Sequence, residues 1–510
     1  MKKNNLKICL FLAFAISVAS CTKLNEDLYS TLDSQNFYKN EQECILAMGD
    51  SYSQLAYQGG NLWGIYGTQL IPTDEAVVPY RLTGPFLGNN GIWLDLHQHK
   101  FKSNNNPIQS SWQYSFKTAA SCNQVIYEID KSPAKFNKKP NMIAELKTLR
   151  AYAYYVAMDL FGNIPISLDF ADTALPKQYS RAEAFKIIEK DLQDNLPLLD
   201  AEPSPLNYGR CTKALAFTVL AKMYLNAQVW LGTPMWQKAI DMCDSVINLG
   251  YYHLESNYFK NFMIANEDSK ENIFVIPYDR KLGFGWEMHE YTLHPAFGPV
   301  YDMTAPMWNG ISATEAFYDS YDSADLRINS WMEGPQYDQS GQPLLTTTGT
   351  PLIFTPSIGG LKTAGEGDGV RCKKWEFPHG LQTKNESMDN DLVIFRYADI
   401  LLMKAEAIMR LNGGTPDQTA VNLVNMVRER AFGNSDHDYT IATLTLDELL
   451  NERGRELAWE GLRRQDLIRF GKWENAWFGK PAESDKHTEI YPIPSNVLPS
   501  NPNLSQNPGY

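Results

Sequence analysis

The chain has 510 residues, and its 59 acidic side chains outnumber the 46 basic ones, which gives a net charge of −13. An acidic surface argues against nucleic-acid binding, because that function needs a basic face. Aromatic residues make up 12% of the sequence, with 12 tryptophans and 27 tyrosines, and ring-lined ligand sites are one use for such a surplus.

The first twenty residues have the pattern of a bacterial lipoprotein signal. Three lysines precede an apolar run, residues 8–18, which is too short to span a bilayer as a helix. Small residues then lead directly to Cys21, so cleavage there would make this cysteine the new first residue and the lipid acceptor. We therefore predict that residues 1–20 are removed and that Cys21 carries the lipid. An ordinary signal peptide with a chance cysteine is the alternative.

Five cysteines remain after the signal and Cys21 are set aside, an odd number with no CxxC pair: Cys44, Cys122, Cys211, Cys243 and Cys372. This pattern indicates neither a disulfide scaffold nor a zinc site. We expect these five side chains to be small buried hydrophobic residues.

Apolar residues at helical spacing predict a mostly α-helical chain. Four of the predicted helices lie in the first half. The first ends at Gly162, and the second begins at Ser180 with a capping box to Glu183. The third runs from Thr212 to Gly232, and the fourth runs from Trp236 to Ile247. The alanines along their faces suggest close helical hairpins of the tetratricopeptide type, although no strict 34-residue period is present.

The C-terminal third shows the same helical spacing of apolar residues. One predicted helix starts at Tyr397, the next has Thr415 as its N-cap and Pro416 as its first residue, and a third starts with a capping box at Thr445 and runs to about Phe470. Two stretches rich in Gly, Pro, Asn and aromatic residues, roughly 60–105 and 255–390, interrupt the helices. Long irregular segments on a rigid scaffold usually carry function.

Several segments resemble the SusD/RagB family, and they occur in that family's order. They are LRAYAYYVAMDLFGNIP (149–165), RYADILLMKAEAIMRL (396–411), LVNMVRERA (423–431), LLNERGRELAWEGLRRQDLIRFGKW (449–473) and IYPIPSNVLPSNPNLSQNPGY (490–510). TDE at 73–75 and IWLDLHQHKF at 92–101 resemble the N-terminal part of the family pattern. The resemblance covers nearly the whole chain after the signal, with 255–390 the most divergent part.

The resemblance implies a SusD-like fold in which tetratricopeptide-like hairpins form the scaffold and loop-rich insertions form the ligand face. It implies one domain over 21–510, with an N-terminal part of about 21–250 and a C-terminal part of about 255–510. Such proteins face the cell exterior, anchored by lipid to the outer membrane. They bind an oligosaccharide and deliver it to a SusC-like TonB-dependent barrel, without a cofactor and without catalysis. A peptide-binding RagB-type protein, a surface glycoside hydrolase and a purely structural cap are the alternatives.

A sugar site needs flat aromatic rings beside carboxylate, amide or guanidinium groups, because a sugar has apolar C–H faces and polar edges. In family members that bind glycans, the first loop region contributes ligand contacts, which implies this role for Asp74, Arg81 and Trp93. The further candidates, by residue type, are Asn89, Asn90, Trp63, Tyr66, Trp286, Tyr291, Tyr301 and Trp308. The alternative is that Asp74 and Glu75 cap local structure and that Trp93 is a core residue.

Two patterns invite an enzymatic or metal-binding interpretation. Glu452, Glu456 and Glu460 share one helical face, as paired glycosidase carboxylates could, but the interleaved arginines favour salt-bridge networks. His97 and His99 would share one face of a strand, yet the sequence offers no third ligand, so packed or surface histidines are expected. His289 and His294 are spaced one residue too far apart for a zinc-binding HExxH motif. We therefore predict neither catalytic residues nor a metal site.

Overall fold

The computed structural model describes residues 37–282, 285–383 and 387–510. The predicted signal, residues 1–20, and the predicted lipid acceptor Cys21 lie outside these ranges. Within them the fold is mostly helical, as the apolar periodicity predicted.

The described helices are numbered here in chain order. They are α1 (Glu41–Gly59), α2 (Ile65–Leu70), α3 (Ile92–His97), α4 (Asn106–Lys131), α5 (Lys139–Phe161), α6 (Arg181–Asn195), α7 (Lys213–Leu231), α8 (Trp236–Leu249), α9 (Met288–Thr292), α10 (Gly298–Tyr301), α11 (Glu315–Tyr318), α12 (Tyr397–Leu411), α13 (Gln418–Phe432), α14 (Leu446–Glu456) and α15 (Arg463–Arg469).

The described strands are short and pair antiparallel in twos. They are β1 (Ala76–Val77), β2 (Ile164–Pro165), β3 (Gln178–Tyr179), β4 (Asn272–Ile276), β5 (Ser312–Ala313), β6 (Trp331–Met332), β7 (Gly334–Pro335), β8 (Ile353–Phe354), β9 (Arg371–Cys372) and β10 (Leu392–Arg396). The pairs are β1 with β5, β2 with β3, β4 with β10, β6 with β9 and β7 with β8. The β4–β10 pair leads directly into α12, so it ties the second loop region to the helical scaffold.

The long helices form one continuous row in which each packs on the next. The order is α1, α4, α5, α6, α7, α8, α12 and α13. Helices α5 and α7 lie inside this row and are buried on nearly every side, with alanines at many of their contact positions. Alanine lets helix backbones approach closely, which is the packing of tetratricopeptide-like hairpins. Helix α7 is apolar and long enough to cross a membrane, but it is a core helix here.

Local helix signals in the first half of the chain are confirmed. Helix α5 ends before Gly162, which has a φ of 70°, and α6 starts with the complete Ser180–Glu183 capping box. Thr212 precedes α7 with extended backbone, although its side chain makes no capping hydrogen bond. The five cysteines after residue 37 are free and buried, as predicted.

In the C-terminal third, one predicted helix start was wrong, and a second was right but its capping box is incomplete. Helix α13 begins at Gln418, and its N-cap is Asp417, whose carboxylate accepts from the amide of Ala420 at 2.8 Å. The predicted start at Thr415 was therefore wrong, because a stronger capping side chain follows it. Thr445 does cap α14, but Glu448 bonds to the hydroxyl of Tyr439 and leaves the box half formed.

The predicted long helix to Phe470 was also wrong, because the chain breaks between α14 and α15. Trp459 and Gly461 have φ values of 58° and 73°, which no continuing helix allows. Glu75 holds Trp459 in place: its carboxylate accepts from the Trp459 amide and its carbonyl accepts from the indole N–H, each at 3.1 Å. A residue nearly four hundred positions away thus stabilises the conformation at this break.

Candidate ligand-binding face

Trp308 presents a large ring to solvent on the loop-rich side of the molecule. Its side chain is 40% exposed, whereas most tryptophans of the chain are buried. The Trp308 amide donates to the carbonyl of Glu290 at 2.7 Å, and its indole N–H donates to the Glu290 carboxylate at 3.3 Å. The ring is therefore held in a fixed orientation while its face stays accessible.

Glu290 supplies a carboxylate beside this ring. It is half-buried on the short helix α9, and burial together with repulsion from Glu287 raises its pKa to about 7. The hydrogen bond from Trp308 opposes this rise in pKa. A carboxyl group with this pKa exchanges its proton near neutral pH, and in either state it can accept a hydrogen bond from a ligand hydroxyl.

The segment after Trp308 is fixed by two buried arginines. Asn309, with a φ of 50°, accepts from the Arg81 Nε at its carbonyl oxygen, at 2.6 Å, and from the Arg371 guanidinium at its side-chain oxygen, at 2.7 and 2.9 Å. Both arginines also bond to the 365–369 loop, mainly through its carbonyl oxygens. Because few carboxylates compensate them, burial lowers the pKa of Arg81 to about 9.

The loop between Arg81 and α3 packs on the segment that follows Trp308. Arg81 is anchored in the core, but the next residue, Leu82, is 69% exposed. Leu87 packs so closely on Gly310 that a Cβ at that glycine would lie 2.8 Å from the Leu87 Cβ. Asn90 is exposed, and Asn89 is half-buried. We name Trp308, Glu290 and the 82–91 loop the Trp308 face.

The structure places several predicted ligand residues inside the core. Tyr66, Trp93, Trp286 and Tyr291 are between 1% and 4% exposed. Tyr66 packs edge-on against Trp286 at 4.9 Å, and its hydroxyl donates to the carbonyl of Trp459 at 3.0 Å. Ligand contact by these rings stays a prediction, and in this conformation they support the loops from beneath.

Asp74 and Arg81 have structural partners. Asp74 pairs with Arg463 through two bonds of 2.7 and 2.8 Å, which joins the first loop region to α15. The Arg81 side chain is 4% exposed. Both residues therefore position the loops, and direct ligand contact by either one stays a prediction.

Trp63 and Tyr301 are half-buried. Trp63 packs edge-on against Trp93 at 5.0 Å and lines an open groove of about 570 Å³ with residues of α4. Tyr301 ends α10 and packs between Phe377 and His379. These two rings can still offer an edge to a ligand, but they do not share the Trp308 face.

Comparison with known proteins identifies the family. The model described as "SusD family" matches residues 270–489, and the model described as "Starch-binding associating with outer membrane" matches residues 71–225. The chain belongs to the SusD family. This confirms the resemblance found in the sequence segments.

Two curated members of the SusD family and one solved structure show how the chain relates to known proteins. The starch-binding protein SusD of Bacteroides thetaiotaomicron is 28% identical over 415 residues, 72% of each chain. SusD-like protein P2 of Formosa agariphila is 25% identical over 98% of this chain and 99% of its own. Surface glycan-binding protein A of B. thetaiotaomicron, solved with laminarihexaose, shares the fold with a TM-score of 0.73 at 21% identity, covering 92% of this chain and 99% of that one.

The carboxylate-rich segment of this SusD-family chain forms the predicted salt-bridge network. Glu456 is fully buried and receives bonds from Arg327, Arg396 and Arg430 at 2.9, 2.5 and 2.5 Å. Glu452 bonds to Arg327, Arg428 and Arg455, and the arginines hold its pKa at about 2, although burial opposes this. These carboxylates lie inside the protein, so they hold the C-terminal helices together.

The two histidines near residue 98 are packed, but the predicted strand is absent. His97 ends α3, and His99 follows with a φ of 55°. Each ring bonds to backbone carbonyls, at 2.6 Å from His97 to Phe478 and at 2.9 Å from His99 to Pro72. Over the described ranges, no group of three or more His, Cys, Asp or Glu side chains is arranged to hold a metal ion.

Sequence reasoning missed Glu290, Asn309 and Arg371 as residues that build the Trp308 face. Glu290 lies in the segment that was considered only as a failed zinc motif. The Asn309–Gly310 pair is a common turn signal and could have marked the bend that follows Trp308. For Arg371 the sequence carries no local signal, because its role depends on partners about sixty residues away.

Proposed function

We propose that this protein is a cell-surface oligosaccharide-binding lipoprotein that captures its ligand without turnover. The observation that carries the proposal is Trp308, a fixed and exposed indole beside a carboxyl group and an asparagine-bearing loop. A flat ring stacks on the C–H face of a sugar, while Glu290 and the amides of the 82–91 loop can bond its hydroxyls. The names of the relatives support a glycan ligand.

The proposal extends to delivery into a SusC-like TonB-dependent transporter of the outer membrane. Its support is the family membership and the lipoprotein signal that ends at Cys21, which lies outside the described residues. A receptor tethered beside its transporter does not need tight binding, since its local concentration replaces part of the affinity. The Trp308 face is expected to bind weakly and release quickly.

The positions of the carboxylates favour binding of the oligosaccharide without catalysis. The carboxylates of α14 that could suit a glycosidase are buried and neutralised by arginines. Paired glycosidase carboxylates must reach both sides of the scissile bond in an open cleft. Near the Trp308 face, Glu290 and Glu287 are close enough in sequence to be considered as such a pair. The Glu287 carboxylate, however, already accepts a hydrogen bond from the hydroxyl of Tyr291.

Isothermal titration of the purified chain, residues 22–510, with hits from a glycan array tests the proposal. Trp308→Ala is expected to weaken binding by at least about tenfold, because it removes the stacking surface. The matched control is Tyr251→Ala, which removes another exposed ring, 38% exposed, from the end of α8. Binding of peptides with no glycan on the array recognised would overturn the proposal, and equal glycan affinity in Trp308→Ala and wild type would overturn the placement of the ligand on Trp308.

A further inference from the structure

The turn between α4 and α5 carries a cluster of lysines on an otherwise acidic protein. Lys131, Lys135, Lys138 and Lys139 lie within nine residues, and Lys147 follows in α5. Lys131 lies over the ring of Tyr127 at 4.0 Å, and Lys139 donates to the carbonyls of Asp130 and Ser132 at 3.1 and 2.9 Å. In the described part of the chain, no carboxylate forms an ion pair with any of the five. Their positive charge is therefore not neutralised by a direct ion pair, although Glu128 and Asp169 lie near Lys131.

Three of these five lysines line an open pocket of about 750 Å³. Its apolar lining includes Phe136, Ile143 and Leu198, and Leu198 is 41% exposed. Lys135, Lys139 and Lys147 line it as well, and Asp130 is the acidic residue at its rim. An apolar floor below a cationic rim matches an anionic amphiphile, which has a hydrocarbon part and a charged head group.

The same turn lies where the N-terminal segment joins the fold. The hydroxyl of Ser132 donates to the carbonyl of Tyr38 at 2.5 Å, so the first described residues contact the turn directly. Fifteen residues lie between Cys21 and Phe37, and the sixteen steps from one to the other span at most about 55 Å when extended. A lipid on Cys21 would thus keep this end of the molecule close to the membrane.

We infer that the α4–α5 turn docks on the phosphate-bearing surface of the outer membrane, with the lysine-lined pocket receiving a phosphorylated lipid. The inference rests on the lipid anchoring that is part of the proposed function. Lysines near an anionic membrane each strengthen attachment, and one acyl chain needs a second contact for stable binding. The contact would also orient the protein, because it fixes a second point besides the lipid.

Vesicle co-sedimentation tests this contact on residues 21–510 with Cys21→Ser, which removes the lipid. The vesicles are phosphatidylcholine alone or phosphatidylcholine with about one-fifth lipid A. We expect binding to the lipid A vesicles only, and Lys135→Glu with Lys138→Glu to reduce it by about tenfold or more, since each lysine near an anionic surface contributes roughly fivefold. Higher salt should weaken binding in the wild-type sequence.

The control variant combines Lys362→Glu with Lys373→Glu, which changes the net charge equally at two exposed lysines outside the α4–α5 turn. Equal binding to both vesicle types, or an equal loss in the control variant, would overturn the inference. Because lipid A itself carries a phosphorylated disaccharide, Trp308→Ala is tested beside the wild-type sequence, and its unchanged vesicle binding would separate the lysine contact from oligosaccharide binding. A glycan-binding failure would leave the vesicle result intact.

Discussion

At the scale of single residues, exposure separates the aromatic side chains that a ligand can reach from those that support the fold. The sequence placed aromatic and polar candidates in the two loop regions, with Trp308 among them, and ligand contact by these residues stays a prediction. It could not separate Trp308 from Trp93 or Trp286, because all three lie in irregular segments without periodicity. Contacts from distant parts of the chain, such as Tyr66 against Trp286, decide which ring is buried.

Replacing Trp286 with Ala should destabilise the protein by about 3–5 kcal/mol, because the buried indole leaves a cavity between Tyr66 and Trp375. Trp308→Ala should change stability by less than about 1 kcal/mol, since its ring already meets solvent. Urea titration followed by circular dichroism measures both values. A stability loss for Trp308→Ala as large as that for Trp286→Ala would show that Trp308 is a core residue.

The carboxyl group of Glu290 should make stability depend on pH. Its pKa is raised to about 7 in the folded protein, from an ordinary 4.5, so the folded state holds the proton more tightly than the unfolded state. The wild type therefore loses stability as the pH rises from 4.5 to 7. Glu290→Gln should melt at a higher temperature than wild type at pH 8 and at the same temperature near pH 4.5. Calorimetry would contradict this if the variant melted lower at pH 8, and exposed Glu202→Gln is the control.

At the scale of elements, short-range signals predicted helix ends well, and long-range contacts explain the failures. The Ser180–Glu183 capping box needs only neighbouring residues, so the sequence alone determined it. The break after α14 depends on Glu75, which reaches Trp459 from the first loop region. No pattern within residues 446–470 contains that information, and the helical spacing there continues through the break.

The buried network around α14 should be a major source of stability. Glu456→Gln removes a charge that three arginines share, so those arginines would be left partly uncompensated inside the protein. We expect a loss of about 3–5 kcal/mol in the free energy of unfolding. Glu429→Gln, at an exposed position of α13, should stay within about 0.5 kcal/mol of wild type. A loss below about 1 kcal/mol in Glu456→Gln, measured in guanidinium chloride, would contradict this role.

At the scale of the whole molecule, a row of packed helices supports two loop regions that meet in one surface. The fold class followed from periodicity, and the family followed from segments spread along the chain. The shape of the Trp308 face did not follow, because Arg81, Asn309 and Arg371 come from three distant segments. The predicted domain limits, 21–250 and 255–510, stay a prediction, and α8 packs on α12 across them.

Lipid anchoring predicts where the protein is found in its source cells. Wild type should fractionate with the outer membrane, and its N-terminal peptide should carry acyl chains on Cys21 by mass spectrometry. Cys21→Ser should weaken this attachment, so that a high-salt wash, which also screens the lysine contact, releases the variant and leaves the wild type bound. An unmodified Cys21 in membrane-bound wild-type protein would contradict the anchor.

The central claim is that a sugar stacks on Trp308 on a scaffold that does not transform it. A crystal structure of the protein with an oligosaccharide identified on the glycan array tests this most directly. We expect an intact sugar ring lying flat on the Trp308 indole, with hydroxyls bonded to Glu290 and to the 82–91 loop. A cleaved sugar, or one bound elsewhere, such as in the groove beside Trp63, would contradict the account.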